Sequence, residues 1–365
     1  IVKKYNANKG IRSFTYWNQL LVMLFGQLSA RESMRDTISS LEPHRQKHHH
    51  LGLGNSVRLT TLSVSNEKRD YRIFEEFATI LIQKARALRQ DEPFDLPVKG
   101  NVYAFDSSTV SLCLSLFPWA KFKYGKSAAM FYTEKIYSTL IIDRCRCYHD
   151  KWRNICSDII LCMQFYSLCQ RCSSYNDFAR LYSINLKDGY FVIRANDNLK
   201  FRRIYSIKGE RDKSIIADQI GVFTTGLSPK RYPEKIRRVK YHDSEQNRTF
   251  VFLTNDFESS AKTIADLYHK RWAIELFFKW IKQHLKIKSF WGTSENAVKI
   301  QIYSAIIAYC LVAIVAYKLK SDKSIYNILQ ILSISLLDKT PVNQLLNNTD
   351  YKYVKEQEYN LLLFN

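Results

Sequence analysis

Apolar residues recur every three or four positions through residues 1–95, which predicts a helical region. In FTYWNQLLVMLFGQLSARESMRDTISSLE this spacing covers two helices, with Ser29 as the candidate cap of the second. SNEKRDYRIFEEFATILIQKARALRQ predicts one further amphipathic helix with Lys and Arg on its polar side. Between them, HRQKHHHLGLGNSVRLTT reads as a basic surface connector. Its histidines His48, His49 and His50 are adjacent and point in different directions. No Cys or carboxylate stands at ligand spacing, which argues against a metal. The whole region is a candidate DNA-contacting module, although no single helix-turn-helix stands out.

The period changes after the Pro- and charge-bearing linker DEPFDLPVKG. NVYAFDSSTVSLCLSLF reads as strand, tight turn, strand, with Asp106 at the end of the first strand. Residues 183–257 form a β-rich block of short runs (YFVIRA, KFRRIYSI, KSIIADQIGVF, KIRRVKYH, RTFVFLTN) separated by turn signals. From about Ser260 the chain turns helical again. Its longest apolar run, IYSAIIAYCLVAIVAY at 302–317, is shorter than the roughly 20 residues of a membrane span. A buried helix is the reading that fits, and no membrane is assigned.

The stretch YHKRWAIELFFKWIKQHLKIKSFWGTSENAV at 268–298 is unusual. On a helix with about 100° per residue, Arg271, Glu275 and Lys282 fall near 300°, 340° and 320° from Tyr268. Four polar groups thus share an arc of roughly 60°, and aromatic and aliphatic residues occupy more than half of the remaining girth. An ordinary surface helix has closer to the reverse distribution. A solvated Arg–Glu pair explains such a stripe as well. The width of the apolar arc favours a stripe that lines a cleft, where a carboxylate beside Arg and Lys suits a divalent cation next to a phosphate. Such a site needs more than one carboxylate, and Asp106 is the natural partner of Glu275.

Charge points the same way. The chain of 365 residues has 55 Lys and Arg against 34 Asp and Glu, a net charge of +21 spread along its length. A polyanion is the implied partner, with nucleic acid ahead of an anionic membrane surface because no single amphipathic helix concentrates the basic residues. The N-terminus IVKKYNANKG has no secretory pattern, and its first residue is Ile rather than Met, which predicts a missing upstream piece.

The spacing Tyr268–Arg271–Glu275–Lys282, followed by IKSFWGTSENAVKIQI, resembles the Y-R-E-K signature of DDE transposases of bacterial insertion sequences, in the group named after insertion sequence four. VYAFDSSTVSLCL resembles the segment carrying that family's first Asp, and the β-rich block resembles its insertion. The resemblance implies an α/β, RNase H-like core over 96–365, with the β-rich insertion at 183–257 and a helical part at 260–365 that carries the Glu. A helical N-terminal DNA-binding domain at 1–95 precedes it. It implies Mg²⁺, with Mn²⁺ as the alternative, held by Asp106 and Glu275 for cleavage and transfer of DNA strands. Tyr268, Arg271 and Lys282 bind DNA under this reading, Tyr268 by stacking or a hydrogen bond. The implied partners are double-stranded DNA, as transposon ends and target, and a second copy of the chain on DNA. The implied location is the bacterial cytoplasm, at the nucleoid.

One element departs from the family pattern. CQRCSSYNDFARLYSI resembles the segment of the second Asp, but Cys172 stands where that acid belongs. Asp143, Asp150, Asp158 and Asp177 lie nearby, none in a matching context. Residues 126–174 diverge as a block and hold six of the eight cysteines, which fits translation through compensating frameshifts. The rival is a zinc site drawn from Cys145, Cys147, His149, Cys156, Cys162, Cys169 and Cys172, although no paired zinc-finger spacing is present. A thiol is a poor Mg²⁺ ligand. The sequence therefore predicts a transposase whose catalysis is impaired, with a DNA-binding remnant without chemistry as the alternative.

Overall fold

The computed structural model describes residues 1–49, 51–54, 56–88, 96–98, 102–112, 115–117, 119, 121–122, 126–136, 141–148, 166–169, 178–195, 199–207, 212–224, 226–270, 282–283, 290–338 and 340–347. For the strands between 103 and 169 the description is of backbone pairing.

Helix α1 (Tyr16–Leu28) begins at Thr15, whose hydroxyl accepts from Asn18 N at 3.2 Å while the Asn18 side chain accepts from Thr15 N at 2.9 Å. This reciprocal cap satisfies two otherwise orphaned donors. Ser29 closes α1 instead of opening the next helix, and its hydroxyl donates to Phe25 O at 2.6 Å. The cap of α2 (Met34–Leu41) is Ser33, which accepts from Asp36 N at 3.0 Å. The deciding signal is the acid three residues beyond Ser33: Asp36 reaches back to Glu32 N at 3.0 Å.

The histidine connector is not a plain surface loop. After a short 3₁₀ turn at Glu42–Lys47, His48 is buried, and its Nε2 donates to Leu41 O at 2.9 Å, satisfying a carbonyl at the end of α2. His50 lies outside the described residues.

The single helix expected over 65–90 is two, α3 (Leu59–Lys68) and α4 (Arg72–Ala87). The chain breaks at Arg69 because its guanidinium is drawn to Thr15 O and Gln19 Oε1, both at 3.0 Å, and to Phe14 O. Asp70 then accepts from Arg72 N at 2.9 Å, and hydrogen bonding to Arg72 holds its carboxyl below the usual range. Asn296 spans the break: its amide donates to Asn66 O at 3.0 Å and to Arg69 O, and its oxygen accepts from Tyr71 N at 3.3 Å.

The ten strands of the described residues form one mixed sheet in the order β2-β3-β1-β5-β6-β10-β9-β8-β7, with β4 also on β3. They are β1 (Val102–Leu112), β2 (Lys121–Phe122), β3 (Lys126–Ile136), β4 (Ile141–Tyr148), β5 (Tyr166–Cys169), β6 (Phe191–Arg194), β7 (Phe201–Ser206), β8 (Ile215–Phe223), β9 (Ile236–Asp243) and β10 (Arg248–Thr254). β1 and β5, and β5 and β6, pair parallel; every other pair is antiparallel. The β-rich block extends the same sheet through β6 and β10.

The tight turn expected after Asp106 is absent. β1 runs unbroken for 11 residues, because β3 pairs straight through the polar stretch: Asp106 with Thr133, Ser107 with Tyr132, Ser108 with Phe131. Asp106 is therefore mid-strand, one residue beyond the last parallel pair, Phe105 with Cys169. The compositionally divergent segment supplies β3, β4 and β5.

The remaining helices are α5 (Phe178–Asn185), α6 (Ser228–Arg231), α7 (Ala261–Lys270), α8 (Glu295–Lys318), α9 (Ile325–Ser335) and α10 (Val342–Asn347). α8 is the buried helix anticipated at 302–317. Among the described helices it is the one long and apolar enough to cross a membrane, yet 78% of its apolar window is buried. α1, α3, α4 and α9 pack around it. Burial pushes the Cys310 thiol in its middle up to about 12, so that group stays neutral. Tyr303 OH donates to Glu75 Oε1 at 2.6 Å, and Lys299 lies over the Tyr71 ring at 4.3 Å while pairing with Glu295 at 2.6 Å.

Gly26 marks the tightest approach between α1 and the segment leading into α8. A Cβ there meets Trp291 Cη2 at 2.4 Å and Thr37 Oγ1 at 2.8 Å. Gly-to-Ala in a helix interior ordinarily gains roughly 0.5–1 kcal/mol. Here Gly26→Ala is expected to lose about 1–3 kcal/mol through overpacking, read as a lower urea midpoint. Adding Trp291→Phe to Gly26→Ala is expected to restore part of that loss.

Candidate active site

Helix α7 leads into the charged stripe, and its position is fixed by the loop before it. Ser260 caps it, accepting from Thr263 N at 3.0 Å. Asp256, buried, accepts from Glu258 N at 2.9 Å and Ser259 N at 3.0 Å. Asn255 accepts from Phe191 N at 2.9 Å and donates to Gly189 O at 2.9 Å and Asn185 Oδ1 at 2.6 Å, which joins the end of β10 to the start of β6.

Arg237 of β9 holds this loop to the sheet. Its guanidinium grips Asp218 of β8 with two parallel bonds of 2.9 and 2.7 Å, and its third nitrogen donates to Asp256 O at 3.0 Å and Ser259 O at 2.6 Å. The two side chains are 3% and 8% exposed, so this is a buried ion pair with its remaining donors used on backbone carbonyls. The fork geometry of Arg makes this possible; a Lys offers a point charge instead.

Beyond the loop, α7 packs on β6, β8, β9 and β10. Tyr268 stacks obliquely on Phe252 with ring centroids 4.6 Å apart and is 8% exposed. His269 lies edge-on to Tyr241 at 5.6 Å, with Nε2 3.7 Å from Asp243 Oδ2, and Lys262 Nζ lies over the Tyr241 ring, 5.2 Å from its centroid. The buried ring of Tyr268 is thus part of the helix's packing.

Of the other stripe residues, Lys282 is half-buried in a described helical pair, 282–283. Arg271, Glu275 and Cys172 lie outside the described residues. Asp106 is placed on β1, which is two strands from β6, about 10 Å across the sheet. No group of three His, Cys, Asp or Glu side chains suited to a metal occurs among the described residues. The cysteine-based zinc alternative loses support from the sheet order. β4, with Cys145 and Cys147, is separated from β5, with Cys169, by β3 and β1, about 14 Å.

The segment after the stripe ties three parts together. Phe290 meets Phe117 edge-on at 6.2 Å, Trp119 Nε1 donates to Thr293 O at 2.6 Å, and Trp291 N donates to Gln301 Oε1 of α8 at 2.8 Å. The connection after β1 and the helix α8 are therefore both fastened to residues 290–293.

Two family descriptions match. Residues 175–311 match the Transposase DDE domain, and residues 1–54 match a Domain of unknown function (DUF4372). The first of these, the Transposase DDE domain, is the match that bears on the site. That domain spans Tyr268, Arg271, Glu275 and Lys282 and begins after both Asp106 and Cys172. Over 266 residues, 69% of this chain and 66% of the relative, this chain is 28% identical to a probable transposase for insertion sequence element IS5377 of Geobacillus stearothermophilus. It is 42% identical over 130 residues, 35% of this chain and 36% of the relative, to the putative transposase y4zB of Sinorhizobium fredii. It is 24% identical over 299 residues, 78% of this chain and 80% of the relative, to a putative transposase for insertion sequence element IS4SA of Synechocystis. The chain thus spans just under two thirds of the first of these relatives and about a third of the second. Among solved structures, the piggyBac transposase synaptic complex with hairpin DNA gives a TM-score of 0.48 at 10% identity, over 92% of this chain and 76% of that one.

Sequence reasoning passed over Arg237, Asp218, Asn255 and Asp256. The signal was present: KIRRVKYH places Arg237 in register with the apolar Val239 and Tyr241, so one Arg of the pair has to be buried. Arg237→Ala is expected to cost about 3–5 kcal/mol by stranding Asp218, measured by urea unfolding. The double variant Arg237→Met with Asp218→Leu is expected to recover most of that loss.

Proposed function

We propose that this chain is a bacterial insertion-sequence transposase that binds double-stranded DNA at transposon ends, with strand cleavage impaired by the loss of one metal-binding acid. The observation that carries the reading is the DDE domain at 175–311, which contains the spacing Tyr268–Arg271–Glu275–Lys282. The sheet supports an RNase H-like core: three antiparallel strands, β4-β3-β1, continue into β5 and β6 parallel to β1. In sheets of this kind, chemistry collects beyond the carboxyl ends of the parallel strands. Asp106 follows the last β1–β5 pair, and Cys172 follows the end of β5 by three residues in sequence.

In this reading residues 1–95 form the DNA-binding domain, and Arg271 and Lys282 hold phosphates near the scissile bond. Tyr268, with its ring packed on Phe252, acts through its hydroxyl. A second copy completes the assembly on DNA, and the protein works in the cytoplasm at the nucleoid.

The family chemistry calls for divalent metal, Mg²⁺ or Mn²⁺. Asp106 and Glu275 are hard oxygen donors of the right kind. Cys172 is not, so the donor set falls one carboxylate short of the family's three and does not fit a complete site. DNA binding has no such requirement, since it rests on Lys and Arg.

Binding to duplexes carrying the ends of the encoding element, titrated from about 50 to 200 mM salt, tests the reading. Affinity is expected to fall steeply, by about 10³-fold or more for six phosphate contacts, and to exceed that for a scrambled duplex. A flat salt response contradicts DNA binding through phosphates, and equal affinity for the scrambled duplex contradicts recognition of the ends.

A further inference from the structure

The β-rich part of the sheet has two faces with different fates. Arg237, Val239 and Tyr241 of β9 face α7 and its loop, through the Ser259 carbonyl, Phe252 and His269 respectively. Side chains alternate along a strand, so Arg238, Lys240 and His242 occupy the opposite face. There Lys240 is exposed, and Arg238 and His242 are half-buried. Their paired neighbours are Gln219 and Ala217 on β8 and Leu253, Val251 and Thr249 on β10, none of them acidic.

Arg203 of β7 extends this face to the edge of the sheet. It is exposed, and it lies near enough to Arg238 that the two guanidiniums repel: burial first, and then Arg203, lowers the Arg238 pKa. Arg238 is held in place by the Phe201 ring, 4.5 Å away, and by Gln219 Oε1 at 2.5 Å. Among the described residues, neither Arg203 nor Lys240 has a carboxylate partner. β7 can come this close because residue 221 has no side chain. A Cβ on Gly221 collides with Arg202 O and meets Phe201 Cζ at 2.6 Å.

Part of this face is covered, since Ile236 and Leu253 are buried in a core with Phe178, Leu181 and Tyr232, while Arg203 and Lys240 are exposed; exposed cations that have no carboxylate partner among the described residues are complementary to a polyanion. We infer that the face formed by Arg203, Arg238 and Lys240 is a second contact surface for duplex DNA, gripping the phosphate backbone without reading its sequence. The inference rests on the DNA-binding function proposed above and adds a location. The face is on the side of the sheet away from α7, so the duplex it holds is not the strand segment met by the α7 side of the sheet. It takes DNA flanking the cleavage point or a second duplex. β7 is an edge strand with a bulge next to Arg203, a feature that discourages pairing with another strand and leaves its side chains for other contacts.

The test removes two exposed cations, Arg203→Ala with Lys240→Ala, in the full chain. The reference is an equal charge loss outside the sheet, Lys320→Ala with Lys323→Ala, just beyond the end of α8. Duplex binding is measured against salt for each. The sheet-face pair is expected to bind about tenfold more weakly at 100 mM salt, with a salt slope smaller by about two, as two phosphate contacts are lost. The reference pair is expected to stay within about twofold of the unsubstituted chain. A glutamine pair, Arg203→Gln with Lys240→Gln, repeats the test with the strand-forming bulk retained, and unchanged far-UV dichroism and melting confirm that the sheet is intact. If the sheet-face pairs bind with the slope and affinity of the reference pair, the surface is refuted while the proposed function stands. If the unsubstituted chain binds no duplex at any salt, both fall together.

Discussion

Burial of α8 is the constraint around which the described structure is arranged. A helix apolar over its whole girth has no face to give to water, so it must be surrounded. α1, α3, α4 and α9 do this, and the same hydrophobic core continues to Val192, Val239 and Phe252 of the sheet. The polar groups along α8 are used for attachment: Asn296 bridges the α3–α4 break, Gln301 anchors Trp291, and Tyr303 meets Glu75. The N-terminal helices are thereby locked to the segment that follows the charged stripe.

The described segments before and after the stripe are fixed by a different kind of interaction. Upstream, the Arg237–Asp218 fork and the side chains of Asn255 and Asp256 fix the loop that starts α7. Downstream, Phe290, Trp291 and Thr293 are fastened to the β1–β2 connection and to α8. A polar clamp in the sheet and an aromatic clamp at the helix bundle therefore bracket residues 271–289.

Much of this was legible in the sequence, and the failures have physical causes. The helical N-terminal region, the β-rich block and the buried helix at 302–317 followed from periodicity alone. Ser29 was misread because several small polar residues compete near a helix start, and the acid that selects Ser33 is a weaker signal than the hydroxyl. The break at Arg69 is tertiary: it depends on carbonyls at 14 and 15, which no local pattern reports. DSS after Phe105 has turn composition, but pairing with β3 straight through Asp106, Ser107 and Ser108 overrides local preference, and β1 continues. Buried His48 shows the same override in a segment whose composition is that of a surface loop. At the candidate site, the sequence nominates Asp106, Glu275 and the stripe, of which Asp106, Tyr268 and Lys282 fall among the described residues, whereas the buried Arg237 fork needed the sheet register to be seen.

Under the proposed function Cys172 is the weak point: DNA binding would persist, and the missing acid would limit cleavage. The direct measurement is Mg²⁺-dependent cutting of duplexes carrying the element's ends, with the unsubstituted chain and Cys172→Asp compared at DNA-saturating protein. The account predicts no appreciable cutting by the unsubstituted chain and measurable nicking at the end by Cys172→Asp. Efficient cutting by the unsubstituted chain, or an inert Cys172→Asp that still binds the same DNA, contradicts it.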